Sequence, residues 1–171
     1  MALPQPITIS QQANFIQLAL QNWAQPLGGT AKVVSNLKVA WAQAYQSSQK
    51  PILFICYQGD ISRGPFEQQN AWVRVDRQWS VLFIRGRGFK ANRGDTLYTT
   101  TNGVDALWDD LEAVRDVLRC LLGISEELPS IDFKSITPVS QQEDVIDSYE
   151  LKFSTANDYP MILNANPQQP S

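Results

Sequence analysis

Between Asn102 and Gly123 the apolar residues Leu107, Leu111, Val114, Leu118, Leu121 and Leu122 recur at helical spacing, and no other stretch of the 171-residue chain restricts its fold as strongly. A helix with one apolar stripe has to bury that stripe against another layer of structure. Asn102 is placed to cap its first turn, with Asp105 three residues on, and Gly123 falls where a left-handed residue ends a helix. On the opposite side, Asp105, Asp109, Glu112 and Asp116 lie within about 60° of one another at 100° per residue, forming an acidic ridge. Trp108 sits at the edge of the apolar arc and is a candidate interface anchor.

The material around this helix alternates between helical and extended patterns. Ser10 can cap a helix over 11–23, where Ile16, Ala19, Leu20 and Trp23 share one side; Pro26, Gly28 and Gly29 end it. A second helix is predicted over 36–46 from Leu37, Ala40, Trp41, Ala44 and Tyr45. Pro51 opens the run I-L-F-I-C-Y, which is apolar on both faces and reads as a central strand. Residues 72–85 read as one long strand, bulged or turned near Asp76 to Gln78, and two more strands are expected over 131–138 and 145–155. The expected fold is α+β: a mainly antiparallel sheet of about four strands with helices packed on one side, one of them long and amphipathic. Edge strands of such a sheet offer a route by which copies extend it. A single domain over 1–160 and a disordered Pro/Gln-rich tail over 161–171 complete the reading.

Composition narrows the chemistry. The chain has no histidine, so an imidazole base and a His-ligated metal are both excluded. Its two cysteines, Cys56 and Cys120, are too few for a thiolate zinc site, and Cys56 lies in an apolar run, which favours reduced core thiols. Gly86-Arg87-Gly88-Phe89-Lys90-Ala91 matches a dinucleotide fingerprint, but the following residues do not open the helix that must hold the pyrophosphate, and a flexible basic loop over 86–102 is the better account. Arg93-Gly94-Asp95 reads as a turn, and the adjacent Glu126 and Glu127 make no convergent carboxylate pair. The acidic ridge lies on a convex surface with no loop oxygens to complete a cation shell. Trp23, Trp41, Trp72 and Trp79 read as core or interface anchors. No catalytic residue, metal or cofactor is expected. No run is long enough to span a membrane and the N-terminus lacks signal-peptide features, so a soluble, unexported protein is expected.

Charge is unevenly spread. No acid precedes Asp60. Residues 74–93 carry Arg74, Arg77, Arg85, Arg87, Lys90 and Arg93 against Asp76 alone, whereas residues 105–150 carry twelve acids against Arg115, Arg119 and Lys134. Two readings stay open: both blocks are solvated faces, or a positive surface on one copy meets a negative surface on the next, head to tail. On the second reading the candidate interface residues are Arg85, Arg87, Lys90 and Arg93 on one side and Asp105, Trp108, Asp109, Glu112 and Asp116 on the other. The acidic total argues against sequence-specific nucleic-acid binding.

The strand V-R-V-D-R-Q-W-S-V-L-F-I, the helix L-W-D-D-L-E-A-V-R-D-V-L-R-C-L-L-G, the linker I-S-E-E-L-P-S-I-D-F and the closing strand Y-E-L-K-F-S-T-A-N-D together resemble the small neck and tail-completion proteins of tailed bacteriophages, the tail terminator group above all. The resemblance covers about residues 50–160. It implies a non-enzymatic virion protein, made in the host cytoplasm, whose copies close into a homo-oligomeric ring, commonly a hexamer, on the end of the tail tube. Such a ring stops tube polymerisation and docks the head-completion or connector protein, so the implied partners are further copies, the tail tube protein and the connector. A different tail, baseplate or neck subunit, and a nucleic-acid or host-factor binding module, are the alternatives.

Overall fold

The computed structural model describes residues 7–38, 50–65, 72–86, 107–120, 131–139 and 146–160. Helix α1 runs Ile9–Ala24, one turn of 3-10 helix follows at Gln25–Leu27, and strands β1 (Thr30–Val34), β2 (Ile52–Pro65) and β3 (Trp72–Gly86) come next; helix α2 (Leu107–Cys120) and strands β4 (Ile131–Pro138) and β5 (Ile146–Pro160) complete the order.

Helix α1 begins two residues earlier than expected because Thr8, not Ser10, is the cap. The Thr8 hydroxyl accepts from the Gln11 backbone N–H at 3.1 Å and Gln11 Oε1 accepts from the Thr8 N–H at 2.9 Å, a reciprocal capping box. Gly28, in the left-handed region at φ 71°, ends the 3-10 turn where the sequence placed the stop.

The sheet has five strands in the order β1-β2-β3-β5-β4, so the expectation of about four falls one short. The additional strand is β1, parallel to β2 with Thr30 opposite Ile52 and Val34 opposite Cys56; the other pairings are antiparallel. A parallel neighbour needs a crossover of about a dozen residues or more, and residues 35–51 supply that length. Asn36 Oδ1 accepts from the Lys38 N–H at 2.7 Å, as a cap does, and Leu37 and Lys38 are helical. The rest of the helix predicted over 36–46 lies outside the described residues.

Strand β3 is the centre of the molecule. It pairs with β5 without interruption from Trp72↔Pro160 to Gly86↔Ile146, so the bulge expected near Asp76 to Gln78 is not in this strand. It lies opposite, in β2, where Tyr57 pairs with Trp79 and Gly59 with Gln78, leaving Gln58 as the extra residue.

Alternation along the strands sorts side chains to two faces. Leu53 and Ile55 of β2, Trp79, Val81 and Phe83 of β3, and Leu151 and Phe153 of β5 share one face. Against it pack Ala13, Ile16, Leu20 and Ala24 of α1 and Leu107, Leu111, Val114 and Leu118 of α2. Helices α1 and α2 therefore lie on one side of the sheet, and the part of the α2 stripe that ends at Leu118 faces it. Trp23 leans on Phe83 at 6.2 Å between ring centroids, and Tyr57 on Trp79 at 5.5 Å. On the other face Phe54, Leu82 and Ile84 are buried with Val34, Leu37, Ile52 and Val139 against them. The architecture is α+β with a mixed, mostly antiparallel sheet.

Candidate assembly surface

The acidic ridge lies on the outer face of α2. Asp109, Glu112 and Asp116 are exposed, and the ridge is threaded by two cations of the same helix. Arg115 lies 4.0 Å from Glu112 and 3.7 Å from Asp116, and Arg119 lies 3.9 Å from Asp116. Exposed pairs at these distances contribute little to stability, but they lower the charge that the ridge presents to a partner. The Arg119 guanidinium also sits 5.6 Å from the centre of the Phe133 ring, tying the end of α2 to β4. Trp108 is 48% exposed and donates through Nε1 to the Tyr149 hydroxyl at 3.3 Å. Its ring is held at one end and is half exposed.

Arg85 departs from its expected role. It points to the helix side of the sheet, is buried, and forms an ion pair with Asp110 of α2, itself buried. A guanidinium committed in this way is withdrawn from any surface. Arg77 and Asp76 are buried too, so the charge counted along residues 74–93 overstates what the surface presents. Arg87, Lys90, Arg93 and Asp105 lie outside the described residues, as do the Gly86-to-Ala91 match beyond its first residue, the loop over 86–102, Asn102, Leu121, Leu122, Gly123, Glu126, Glu127, Trp41 and the tail over 161–171.

Arg77 organises a second polar cluster, beneath the start of α1. It donates to the Ile7 carbonyl at 2.7 Å and to Gln12 Oε1 at 3.2 Å, and its Nε lies 3.9 Å from Asp60. Burial lowers its pKa, an effect that Asp60 and Tyr57 oppose. Burial also pushes the Tyr57 hydroxyl up, and so do its hydrogen bond to Asp60 and the negative charge there. The cluster joins the first turn of α1 to the bulged part of the sheet.

Cys56 is a free, buried thiol whose pKa burial raises, so it stays protonated and unreactive near neutral pH. Beside it on the outer face of the sheet, the Ser80 hydroxyl donates to Glu150, which also lies 3.4 Å from Lys152. Among the described residues no group of three or more acids and cysteines is placed to hold a metal ion, and no helix is long and apolar enough to cross a membrane.

Both sheet edges carry features that oppose strand addition. At β1, Gln21 Oε1 accepts from the Ala31 N–H at 2.8 Å and Gln17 Nε2 donates to the Ala31 carbonyl at 3.2 Å, so side chains of α1 occupy the outward groups of Ala31. At β4 the pairing slips between Phe133 and Ser135, making Lys134 the extra residue; it pairs with Asp132, and Pro138 ends the strand. A bulge, a lysine and a proline are common devices for blunting an edge. Extension of the sheet by neighbouring copies would at β1 have to displace the two glutamines from Ala31.

One surface went unread in the sequence. The outward side of α1 exposes Gln11, Phe15, Leu18 and Asn22, and α1 contains no charged residue. The helical layer thus presents an uncharged, partly apolar face on α1 and a charged one on α2. No protein-family model matches the chain, and no curated protein matches it.

Proposed function

We propose that this chain is a structural subunit of a tailed-bacteriophage neck, a tail terminator whose copies form a ring at the end of the tail tube. The observation that carries the reading is the arrangement of the four segments that resemble that group. The strand segment is β3, the helix segment is α2, the linker runs into β4, and the closing segment is β5; they make the contiguous sheet β3-β5-β4 with α2 across it. Residues far apart in the chain are thereby joined in one unit, as expected if the resemblance has a common structural origin. The outer side of α2 in that unit, with Trp108, Asp109, Glu112 and Asp116 exposed, offers a face for a neighbouring copy. Its partner surface would be Arg87, Lys90 and Arg93, with Arg85 removed from the set by its internal ion pair.

Negative-stain microscopy of the purified chain tests the proposal, together with a tube assay in which the chain is added to polymerising tail tube protein. Rings of about six copies, and tubes whose growth stops with a ring at one end, are the expected result. A chain that forms no rings and leaves tube growth unchanged overturns it, and rings that never cap tubes assign it to another neck or baseplate position.

A further inference from the structure

Of the exposed residues of α1, the four along the middle of its outward side read the same in both directions by class, amide, apolar, apolar, amide, with Asn14 and Ser10 to one side of this stripe and Ile9 at the first turn. Gln11, Phe15, Leu18 and Asn22 are spaced four, three and four residues apart, the alternation that keeps one seam facing a partner helix. The helix spans Ile9–Ala24, so its midpoint falls between Ile16 and Gln17. Gln11 and Asn22 are equally far from that point, and so are Phe15 and Leu18. The two central residues are apolar and open to solvent, Leu18 at 60% exposure and Phe15 at 38%. The outer two carry primary amides, which both donate and accept and so can pair with each other.

We infer that α1 is a self-association surface, and that its occupant is α1 of a second copy, packed antiparallel about a two-fold axis through the helix midpoint. The axis brings Phe15 of one copy against Leu18 of the other, twice, and Gln11 against Asn22, twice. A two-fold contact requires one patch to complement itself, and this stripe does so in both spacing and chemistry. Charge points to the same occupant. The first charged residue of the chain is Lys32, so nothing on the stripe attracts an acidic or basic partner, and nothing repels an identical one. A helix of this length is about 24 Å long. A contact confined to it covers a few hundred Å² per copy, below the roughly 800 Å² per partner of a standard interface, which places the dimer among weak, concentration-dependent ones. The inference does not rest on the ring: the dimer forms or fails whether or not a ring exists.

Sedimentation of the full chain from about 10 to 500 µM in 0.5 M NaCl tests it, because an uncharged contact survives salt that weakens charged ones. The wild-type chain should pass from monomer to dimer across that range. Leu18→Glu should remain monomeric with an unchanged melting temperature, since the side chain is exposed. Mixing Leu18→Lys with Phe15→Glu should restore a dimer that neither forms alone, because only the mixed pair sets lysine against glutamate. A wild-type chain that is monomeric at 500 µM overturns the inference, and so does a Leu18→Glu chain that dimerises like wild type. Rescue by mixing Leu18→Lys with Leu18→Glu, but not with Phe15→Glu, overturns the antiparallel register.

Discussion

Arg85, near the end of β3, donates a hydrogen bond to the carboxylate of Asp110 on α2, and both side chains are buried between sheet and helix. The pair fixes where α2 lies along β3, a choice that the apolar stripe alone leaves to packing. A buried ion pair adds little over a well-packed apolar pair, but losing one partner leaves the other charge stranded. Arg85→Met and Asp110→Leu should therefore each cost about 3–5 kcal/mol, while the double variant Arg85→Met with Asp110→Leu should come within about 1 kcal/mol of wild type. Urea denaturation of the three variants measures the coupling; simple additivity of the two losses would show that the pair is not a unit.

Gly59 offers a test of the bulge in β2. Its φ is 114°, a conformation that residues with a Cβ rarely adopt, yet nothing lies within 4 Å of where a Cβ would stand. Gly59→Ala should therefore cost about 1–2 kcal/mol through the backbone alone. Gln58→Ala, one residue away and exposed, should change stability by less than about 0.5 kcal/mol. Equal denaturation midpoints for both variants would mean that the bulge relaxes freely.

These two sites show what sequence reasoning reached here and where it stopped. The α2 stripe, the long β3 and the span of β4 were legible because each repeats a simple period over many residues. The Thr8 cap was missed in favour of Ser10, although the signal was present: Thr8 and Gln11 stand at capping-box spacing, whereas Ser10 has Ala13 at that position. Strand β1 left a fainter signal: Thr30-Ala31-Lys32-Val33 alternates, but over so few residues that only its pairing with β2 makes it a strand. Asp110 falls about 70° from the centre of the apolar arc, which marks a carboxylate in need of a buried cation. Which cation answers it is a tertiary fact, set by the sheet that carries Arg85 beneath α2. The same limit applied to the basic block, where charge counted along the chain took no account of Arg77 and Arg85 turning inward.

Alkaline pH should destabilise the protein through Tyr57 and Cys56. Burial raises both groups above their ordinary values; at Tyr57 the hydrogen bond to Asp60 and its charge add to the effect, and at Cys56 the charge of Glu150 adds while a backbone hydrogen bond from Leu37 opposes. The unfolded chain releases these protons at lower pH than the folded one does. Stability is therefore full below the ordinary thiol and phenol range and is lost as pH rises through it, from about 9 upward. Denaturation midpoints between pH 7.5 and 10.5 should fall, and the double variant Tyr57→Phe with Cys56→Ala should fall less steeply. Parallel declines would place the sensitive groups elsewhere.

The exposed ridge of α2 gives the prediction that separates a charged interface from a solvated face. Asp109 and Asp116 point outward, and Arg115 and Arg119 hold Asp116 in local pairs worth little. Asp109→Lys with Asp116→Lys should leave the melting temperature of the isolated chain within about 2 °C of wild type, because no buried group is disturbed. If the ridge meets Arg87, Lys90 and Arg93 of a neighbouring copy, the same reversal should weaken ring assembly about tenfold or more at 0.05 M salt, and raising salt to 0.5 M should weaken the wild-type ring in the same direction. Reversing Arg87 and Lys90 to Glu in the same chain should then restore part of the assembly. Arg85 must be left out of that reversal, because Arg85→Glu would set a carboxylate against Asp110 in the core and unfold the chain rather than test the interface. Assembly by the α2 variant that matches wild type at low salt would make the ridge a solvated face and leave α1 as the contact surface.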